Sequence, residues 1–321
     1  MMRKSLLLLL IGIGTHLFLS VCLIGQSKPM ERIKIAKAPY FSTMSQDGQK
    51  LFVTGFADSE IQVIDLNSHK ATDRFYGGYE PVGIDITPDG RKLFITNLSP
   101  GLVKVVDPNT YEILDDIKVG GRPSNVVISP QGVRAFVTNF GRGKIGRIDF
   151  IDTTSHRILG EVEIGIRPVV AAVSQFGDQL FAVCSGSNDV YVVDTTRREV
   201  IKRIPVGLAP DGIVISNDGL TVFVANSGTN DISIIDVLDL TEVRRVPVGN
   251  KPFSLAMDRK GRLFVVETED RTVSVYDPEF RKIHSFRVNK KPVDIQLSSD
   301  QKLIYVTDEK DNRLAVFRLP D

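Results

Sequence analysis

The chain has 321 residues, 42% hydrophobic and 25% charged, the composition of a folded globular protein and not of a disordered or low-complexity chain. Forty basic against 39 acidic residues leave a formal net charge of +1, so no global field exists to draw in nucleic acid or an anionic membrane. There is no tryptophan, which argues against repeat families whose signature depends on one.

The first element is apolar. Arg3 and Lys4 are followed by an almost unbroken hydrophobic run from Leu6 to Ile24, and Gly25-Gln26-Ser27 offers small residues for a signal peptidase. A cleaved secretory signal over 1–27 is the first reading. An uncleaved membrane anchor stays open, since the run is about long enough to span a bilayer. Lipidation of Cys22 stays open too, although Val21 in Leu19-Ser20-Val21-Cys22 stands where a bacterial lipobox has a small residue. Cleavage removes Cys22 and two positive charges, turning +1 into −1 and leaving Cys184 as the one cysteine, so no internal disulfide holds the exported chain together.

From residue 39 onward one pattern recurs. PVGIDITPDG at Pro81 has counterparts at Pro39, Pro123, Pro168, Pro210, Pro252 and Pro292, with gaps of 42, 42, 45, 42, 42 and 40 residues. Nine residues after each proline stands Gly48, Gly90, Gly132, Gly177, Gly219 or Gly261, with Gln301 in the last copy. Twelve or thirteen residues after it stands an aromatic: Phe52, Phe94, Phe136, Phe181, Phe223, Phe264 or Tyr305. Each copy reads as four short strands, in the second unit Gly83–Thr87, Leu93–Thr96, Val103–Asp107 and Ile113–Val119. The Pro-Asp-Gly turn between the first two suits a hairpin, because proline presets φ and glycine accepts a positive one.

Runs such as LFVT and SIIDV are continuously apolar, which predicts sheets covered on both faces. Four-stranded sheets of about 40 residues, stacked face to face, make a β-propeller. The last copy is one strand short, and the orphan Glu31-Arg-Ile-Lys-Ile-Ala-Lys37 matches a fourth strand. The expected fold is therefore all-β: a single seven-bladed β-propeller over 28–321, of four-stranded antiparallel blades, closed by the N-terminal strand 31–37 completing the last blade and hiding both edges.

The words Leu51-Phe-Val-Thr54, Leu93-Phe-Ile-Thr-Asn97, Ala135-Phe-Val-Thr-Asn139 and Val222-Phe-Val-Ala-Asn226 resemble the YVTN-repeat (YncE-like) β-propellers, over all seven units. The resemblance implies an extracytoplasmic binding or surface protein, periplasmic or secreted. One bacterial type of that family binds single-stranded DNA, and related seven-bladed proteins serve as lactonases or as subunits of quinoprotein dehydrogenases. Gly55, Cys184, Glu267 and Asp308 depart from the motif's asparagine.

Few residues invite chemistry. Gly141-Arg-Gly-Lys-Ile-Gly146 matches GxGxxG, but that motif needs a helix N-terminus for a pyrophosphate, and here it lies between two strands of blade 3. His69, His156 and His284 are predicted in outer turns and an outer strand, too far apart for a metal site or a Ser-His-Asp relay. Cys184 reads as a buried strand end. The recurring Asp65, Asp107, Asp152, Asp194, Asp236 and Asp277 read as caps of the turns that follow them. Asn97, Asn139 and Asn226 are expected to bond their own loop backbone. No cofactor and no metal is expected.

The loops before each first strand and after each second strand open on one face. Before the repeat prolines stand Ala38, Glu80, Arg122, Arg167, Ala209, Lys251 and Lys291. Arg142 and Lys144 add to the basic side in blade 3, whereas Glu267, Glu269 and Asp270 in blade 6 and Asp308, Glu309 and Asp311 in blade 7 stand beside Lys251 and Lys291. The basic sector of Arg122, Arg142, Lys144 and Arg167 is the candidate contact surface, suited to a carboxylate or phosphate. Glu80, Asp211, Lys251, Lys291 and Asp294 are secondary rim candidates.

The leading expectation is a monomeric, non-catalytic binding or scaffold protein of the cell envelope, whose partner is a protein or an anionic envelope ligand. Single-stranded nucleic acid needs stacked aromatics beside the charge, for which Phe140, or Tyr40 and Phe41 two blades away, are candidates. Membrane contact is expected only through the N-terminal segment. Two alternatives stay open: a lactonase-like hydrolase at the channel mouth, and a propeller subunit docking a quinoprotein or electron-transfer partner.

Overall fold

In the computed structural model, which describes residues 26–141 and 145–320, every repeat unit becomes one antiparallel sheet. Blade 2 shows the plan: an inner strand Pro81–Ile86, then Leu93–Asn97, Leu102–Val106 and an outer strand Ile113–Lys118. Seven such sheets stand in a ring, each inner strand flanked by those of the preceding and following blades, and the seventh by the first.

Burial explains the sequence pattern. Second and third strands are sandwiched between neighbouring blades, so Leu93–Asn97 and Thr272–Tyr276 are buried at every position. Outer strands such as Lys70–Tyr76 are largely exposed. The apolar interior is divided into seven clusters, one per blade interface. Phe94, for example, packs with Val103 and Val105 of its own blade against Val126 and Val137 of the next. Phe52, Phe94, Phe136, Phe181 and Phe264 are essentially inaccessible, each stabilising its interface by roughly 1.5–3 kcal/mol relative to exposure.

Around the channel the inner strands approach closely. A side chain at Gly83 would collide with the Asn125 backbone, and one at Gly212 with the Phe253 carbonyl. On the face away from the loops described below, the repeat glycines adopt positive φ, Gly90 at 70°. The recurring aspartates cap their turns: Asp152 accepts from the Ser155 N–H at 2.7 Å, and Asp194 from the Arg197 N–H at 2.8 Å.

Glu31–Lys34 pairs antiparallel with Arg313–Arg318, aligning Ile33 with Leu314. The closing strand thus ends three residues earlier than expected. The Ile35 N–H still reaches the Asn312 carbonyl at 3.1 Å, but the chain must then bend to Ala38, whose φ of 48° leads into the first inner strand. One pairing was not foreseen: Gln26–Ser27 lies parallel to the outer strand of blade 6, giving that blade a fifth strand. The readings placed on residues 1–25, Cys22 included, lie outside the described residues, and no described helix is long and apolar enough to cross a membrane.

Candidate functional site

Two devices repeated in every blade build the loop face. The first is a bulge: just after each repeat proline the inner strand slips register against the second strand. Bulges re-aim side chains, and six of the residues after the prolines (Tyr40, Val82, Ser124, Val169, Asp211 and Phe253) line one cavity at the channel mouth. The second is a backbone hydrogen bond from the residue after each second strand to the carbonyl of the residue before the proline. It joins Phe56 to Ala38, Leu98 to Glu80 and Phe140 to Arg122, each at 3.1 Å, and Glu309 to Lys291 at 2.9 Å, with Ser185–Arg167, Ser227–Ala209 and Thr268–Lys251 alike.

The asparagine slot braces these loops. Asn139 uses all its bonding capacity: Oδ1 accepts from the N–H groups of Arg122 at 2.9 Å and Gly141 at 3.0 Å, while Nδ2 donates to the Gly120 carbonyl and to Asp149, both at 2.8 Å. Asn97 donates to the Gly77 carbonyl at 2.8 Å. Asn139 thus makes the expected own-loop bond, to Gly141, but it and Asn97 also reach the loop between blades, and Asn226 bonds the Asp231 and Ser233 side chains instead. Where the slot departs from asparagine, other groups do the work. Asp308 accepts from the Lys290 and Lys291 N–H groups, Ser187 from that of Ile166 in place of Cys184, and Asp58 from that of Lys37 in place of Gly55.

The cavity is a bowl of about 440 Å³. Arg122 and Arg167 line one side, and neither has an ion-pair partner among the described residues. Tyr40 meets Phe41 and Phe253 edge to face, with ring centroids 5.0 and 5.9 Å apart, and all three rings line the bowl together with Phe56, Leu98 and Phe140. Tyr40 and Phe41 therefore share a site with Phe140, despite the blades between them. Burial pushes the Tyr40 phenol up to about 12, with Asp211 and Glu309 adding and Arg167 opposing. Burial also raises the Asp211 carboxyl, against the pull of a 2.6 Å bond from the Ser227 hydroxyl and of Arg167.

The other sequence candidates separate. Lys251 pairs with Glu269 and Lys291 with Glu309, while Lys290 meets Asp311 at 3.0 Å. Glu80 is half-buried, at a φ of 47°, and does not line the bowl. Arg142 and Lys144 lie outside the described residues.

Asp294 is not on the rim. It faces the channel, a cavity of about 300 Å³, as does Asp85. Both are structural staples between blades. Asp294 accepts from the Ser42 N–H at 2.9 Å and hydroxyl at 2.6 Å, and Asp85 from the Ile128 N–H at 2.8 Å. Burial pushes each carboxyl up to about 6. Reading Asp294 as a rim group overlooked the bulge, which turns the first residue after the proline to the mouth and the second to the channel wall.

The bowl also holds residues that the sequence reading passed over, Phe56, Leu98 and Phe253, and Glu309, which it read only as an acidic neighbour of the lysines. A signal existed. The position after the second strand reads Phe56, Leu98, Phe140, Ser185, Ser227, Thr268, Glu309, apolar in three consecutive blades and polar in the next four.

The three described histidines lie far apart. His69 meets Glu31 at 3.2 Å, His156 meets Asp115 at 3.0 Å, and His284 meets Ser27 at 3.0 Å, all away from the bowl. Among the described residues no three His, Cys, Asp or Glu side chains are grouped to hold a metal ion. Cys184 is buried in the interface of blades 3 and 4, which raises its thiol. Of the GxGxxG stretch, Gly141 has a φ of 72° and Gly146 begins the strand Gly146–Asp152, and no helix for a pyrophosphate stands among the described residues.

No family model matches the chain, and no curated protein matches it. Among solved structures it is similar to a chain of hydrazine synthase from Kuenenia stuttgartiensis, with 24% identity, a TM-score of 0.81, and 88% of this chain and 96% of that one covered. With 1642 solved chains matching, a likeness at this identity is one of architecture: the chain is a seven-bladed β-propeller.

Proposed function

We propose that the chain is an exported, non-catalytic binding protein of the YVTN-repeat type that receives an anionic partner on the blade 3–4 sector of its loop face. One observation carries this reading. Arg122 and Arg167 line a common bowl without ion-pair partners among the described residues, whereas Lys251, Lys290 and Lys291 on the same face are each paired with a carboxylate. Uncommitted guanidinium groups on a rigid ring are suited to grip a carboxylate or phosphate. Exposed Tyr79, Ile166 and Leu208 beside this sector add apolar contact area. Export rests on the basic start and apolar run of residues 3–24.

The shape of the bowl tells against single-stranded nucleic acid, which needs a groove along which successive bases stack. The test is capture from envelope extract by wild type, by Arg122→Glu/Arg167→Glu, and by Lys251→Glu/Lys291→Glu as a charge control on the same face. A partner held by wild type and control but lost by the arginine variant supports the proposal. Equal retention by all three refutes it.

A further inference from the structure

We infer that the bowl takes a small amphiphilic acid, a carboxylate carried on a flat apolar body. The inference rests on the binding reading above and names the ligand class of the same site.

Size comes first. About 440 Å³ is the volume of a metabolite-sized pocket, and such pockets favour the mouths of ring-shaped folds, mostly apolar with a few converging polar groups. The walls decide the rest. In a ring of repeats, equivalent positions meet equivalent surroundings, so a departure at one position alone is local in purpose. Framework positions keep their character round the ring, yet the position after the second strand is Phe56, Leu98 and Phe140 in blades 1–3 and Ser185, Ser227, Thr268 and Glu309 in blades 4–7. Each of those three apolar side chains is only half-buried. Covering them removes more apolar surface from water.

Part of the lining is aromatic. Tyr40 meets both Phe41 and Phe253 edge to face, so its own ring is already engaged on both sides. A flat body rests against these rings. The charges then select the sign. Glu309 is engaged by Lys291, and Asp211 accepts from Ser227 within the field of Arg167, while Arg122, without an ion-pair partner among the described residues, is left with Arg167 beside it to bind an anion in a fork. A bare inorganic anion leaves the apolar wall wet, and a neutral aromatic leaves the arginines unused. Only a ligand with both parts satisfies both halves.

The experiment is calorimetric titration of the purified protein with 2-naphthoate, 2-naphthamide (the same body without the charge) and acetate (the charge without the body). Naphthoate is expected to bind one per chain, about tenfold or more tighter than either partial analogue, as one lost charged contact implies. Arg122→Ala/Arg167→Ala is expected to abolish the preference for naphthoate over naphthamide. Phe140→Ser, which installs the residue type of blade 4, is expected to weaken both by about fivefold. Melting curves identify variants that are folded, and Arg122→Gln/Arg167→Gln, which removes the charge but keeps a polar side chain, serves if the alanine variant is not. Naphthoate binding no tighter than the amide or acetate overturns the ligand class, as does a preference that survives loss of both arginines. If that happens while partner capture still depends on Arg122 and Arg167, the binding face stands and the small acid falls. If capture fails as well, both fall.

Discussion

Phe140 donates its backbone N–H to the Arg122 carbonyl at 3.1 Å, so the cation and the aromatic ring that meet in the bowl are set by one hydrogen bond between two loops. The Asn139 side chain grips the same loops from beneath, accepting from the Arg122 N–H at 2.9 Å. Site and framework are therefore coupled in blade 3.

Asn139→Ala tests that coupling. Four bonds of a wholly buried amide disappear, and partners left unsatisfied cost about 1–3 kcal/mol apiece at most, so a loss of about 3 kcal/mol is expected in urea unfolding. Capture through Arg122 should weaken in parallel. Asn226→Ala, in a blade whose loop pair is Ala209 and Ser227, removes only the two Nδ2 bonds to Asp231 and the Ser233 hydroxyl and should lose less stability while leaving capture intact. Unaltered capture by a folded Asn139→Ala variant would show that the bond network serves stability alone.

The channel carboxylates set a pH dependence. Burial raises Asp85 and Asp294 to about 6, against the ordinary 3.8, so between those values the folded chain binds protons that the unfolded chain does not. Stability should therefore rise as pH falls from about 7.5, by about 1.4 kcal/mol for each group at pH 5 and by up to about 3 kcal/mol for each once the pH nears 3.8, at 1.36 kcal/mol per unit. Asp47, Asp89, Asp218 and Asp300 are displaced the other way, chiefly by bonds from Ser45, Thr87, Ser216 and Ser298 hydroxyls. Their contribution is lost as pH falls through their lowered folded values, below about 3.8. The expected profile has its maximum near pH 4, and Asp85→Asn/Asp294→Asn should flatten its upper limb. A wild-type urea midpoint that drops between about pH 7.5 and 5 would contradict this account.

Glu267 does with a carboxylate what Asn139 does with an amide. Wholly buried, it accepts from the Gly249 N–H at 2.9 Å, the Thr272 hydroxyl at 2.8 Å and the Tyr276 phenol at 3.1 Å, and from the Ser274 hydroxyl. Lys282 at 3.6 Å supplies the counter-charge. Glu267→Leu leaves these donors buried and unpaired and should cost about 3–5 kcal/mol. Glu267→Gln keeps an acceptor and should cost about 1 kcal/mol. Equal losses for the two, measured by denaturant titration, would mean that shape and not hydrogen bonding governs the position.

The architecture was legible because repetition averages out the noise of any one segment. A proline, a glycine and an aromatic at fixed offsets recur often enough to count blades without a single confident strand. Arg122 and Arg167 were legible because topology alone puts the residues before the prolines on one face. Asp294 was misplaced because a one-residue bulge inverts the side on which a side chain emerges, and a bulge leaves no composition signal. Phe56 and Leu98 went unnoticed because an apolar residue ending an apolar strand looks like core. The Gln26–Ser27 pairing with blade 6 is two residues long, too short for any periodicity to show.

Ring closure depends on one strand drawn from the other end of the chain. Ile33 lies opposite Leu314 and is buried with Ile35, Leu51, Val53, Tyr305 and Val316 in the cluster that joins blades 7 and 1. Ile33→Ala removes part of that packing and should cost about 2 kcal/mol, at the lower end for a core isoleucine because the strand carries a single apolar anchor. The loss should be local before it is global. Native-state hydrogen exchange is expected to show the Arg313–Arg318 amides exposed well before those of blades 3 and 4, because opening the closing pair costs less than unfolding a buried blade interface. Deleting residues 26–29, which removes the parallel pair on blade 6 and leaves the closing strand in place, should change global stability by less than about 1 kcal/mol, since an edge addition of two residues buries little apolar surface. Uniform exchange across all seven blades in Ile33→Ala would indicate a ring that opens everywhere at once, and the closing strand would then have no special place in its stability.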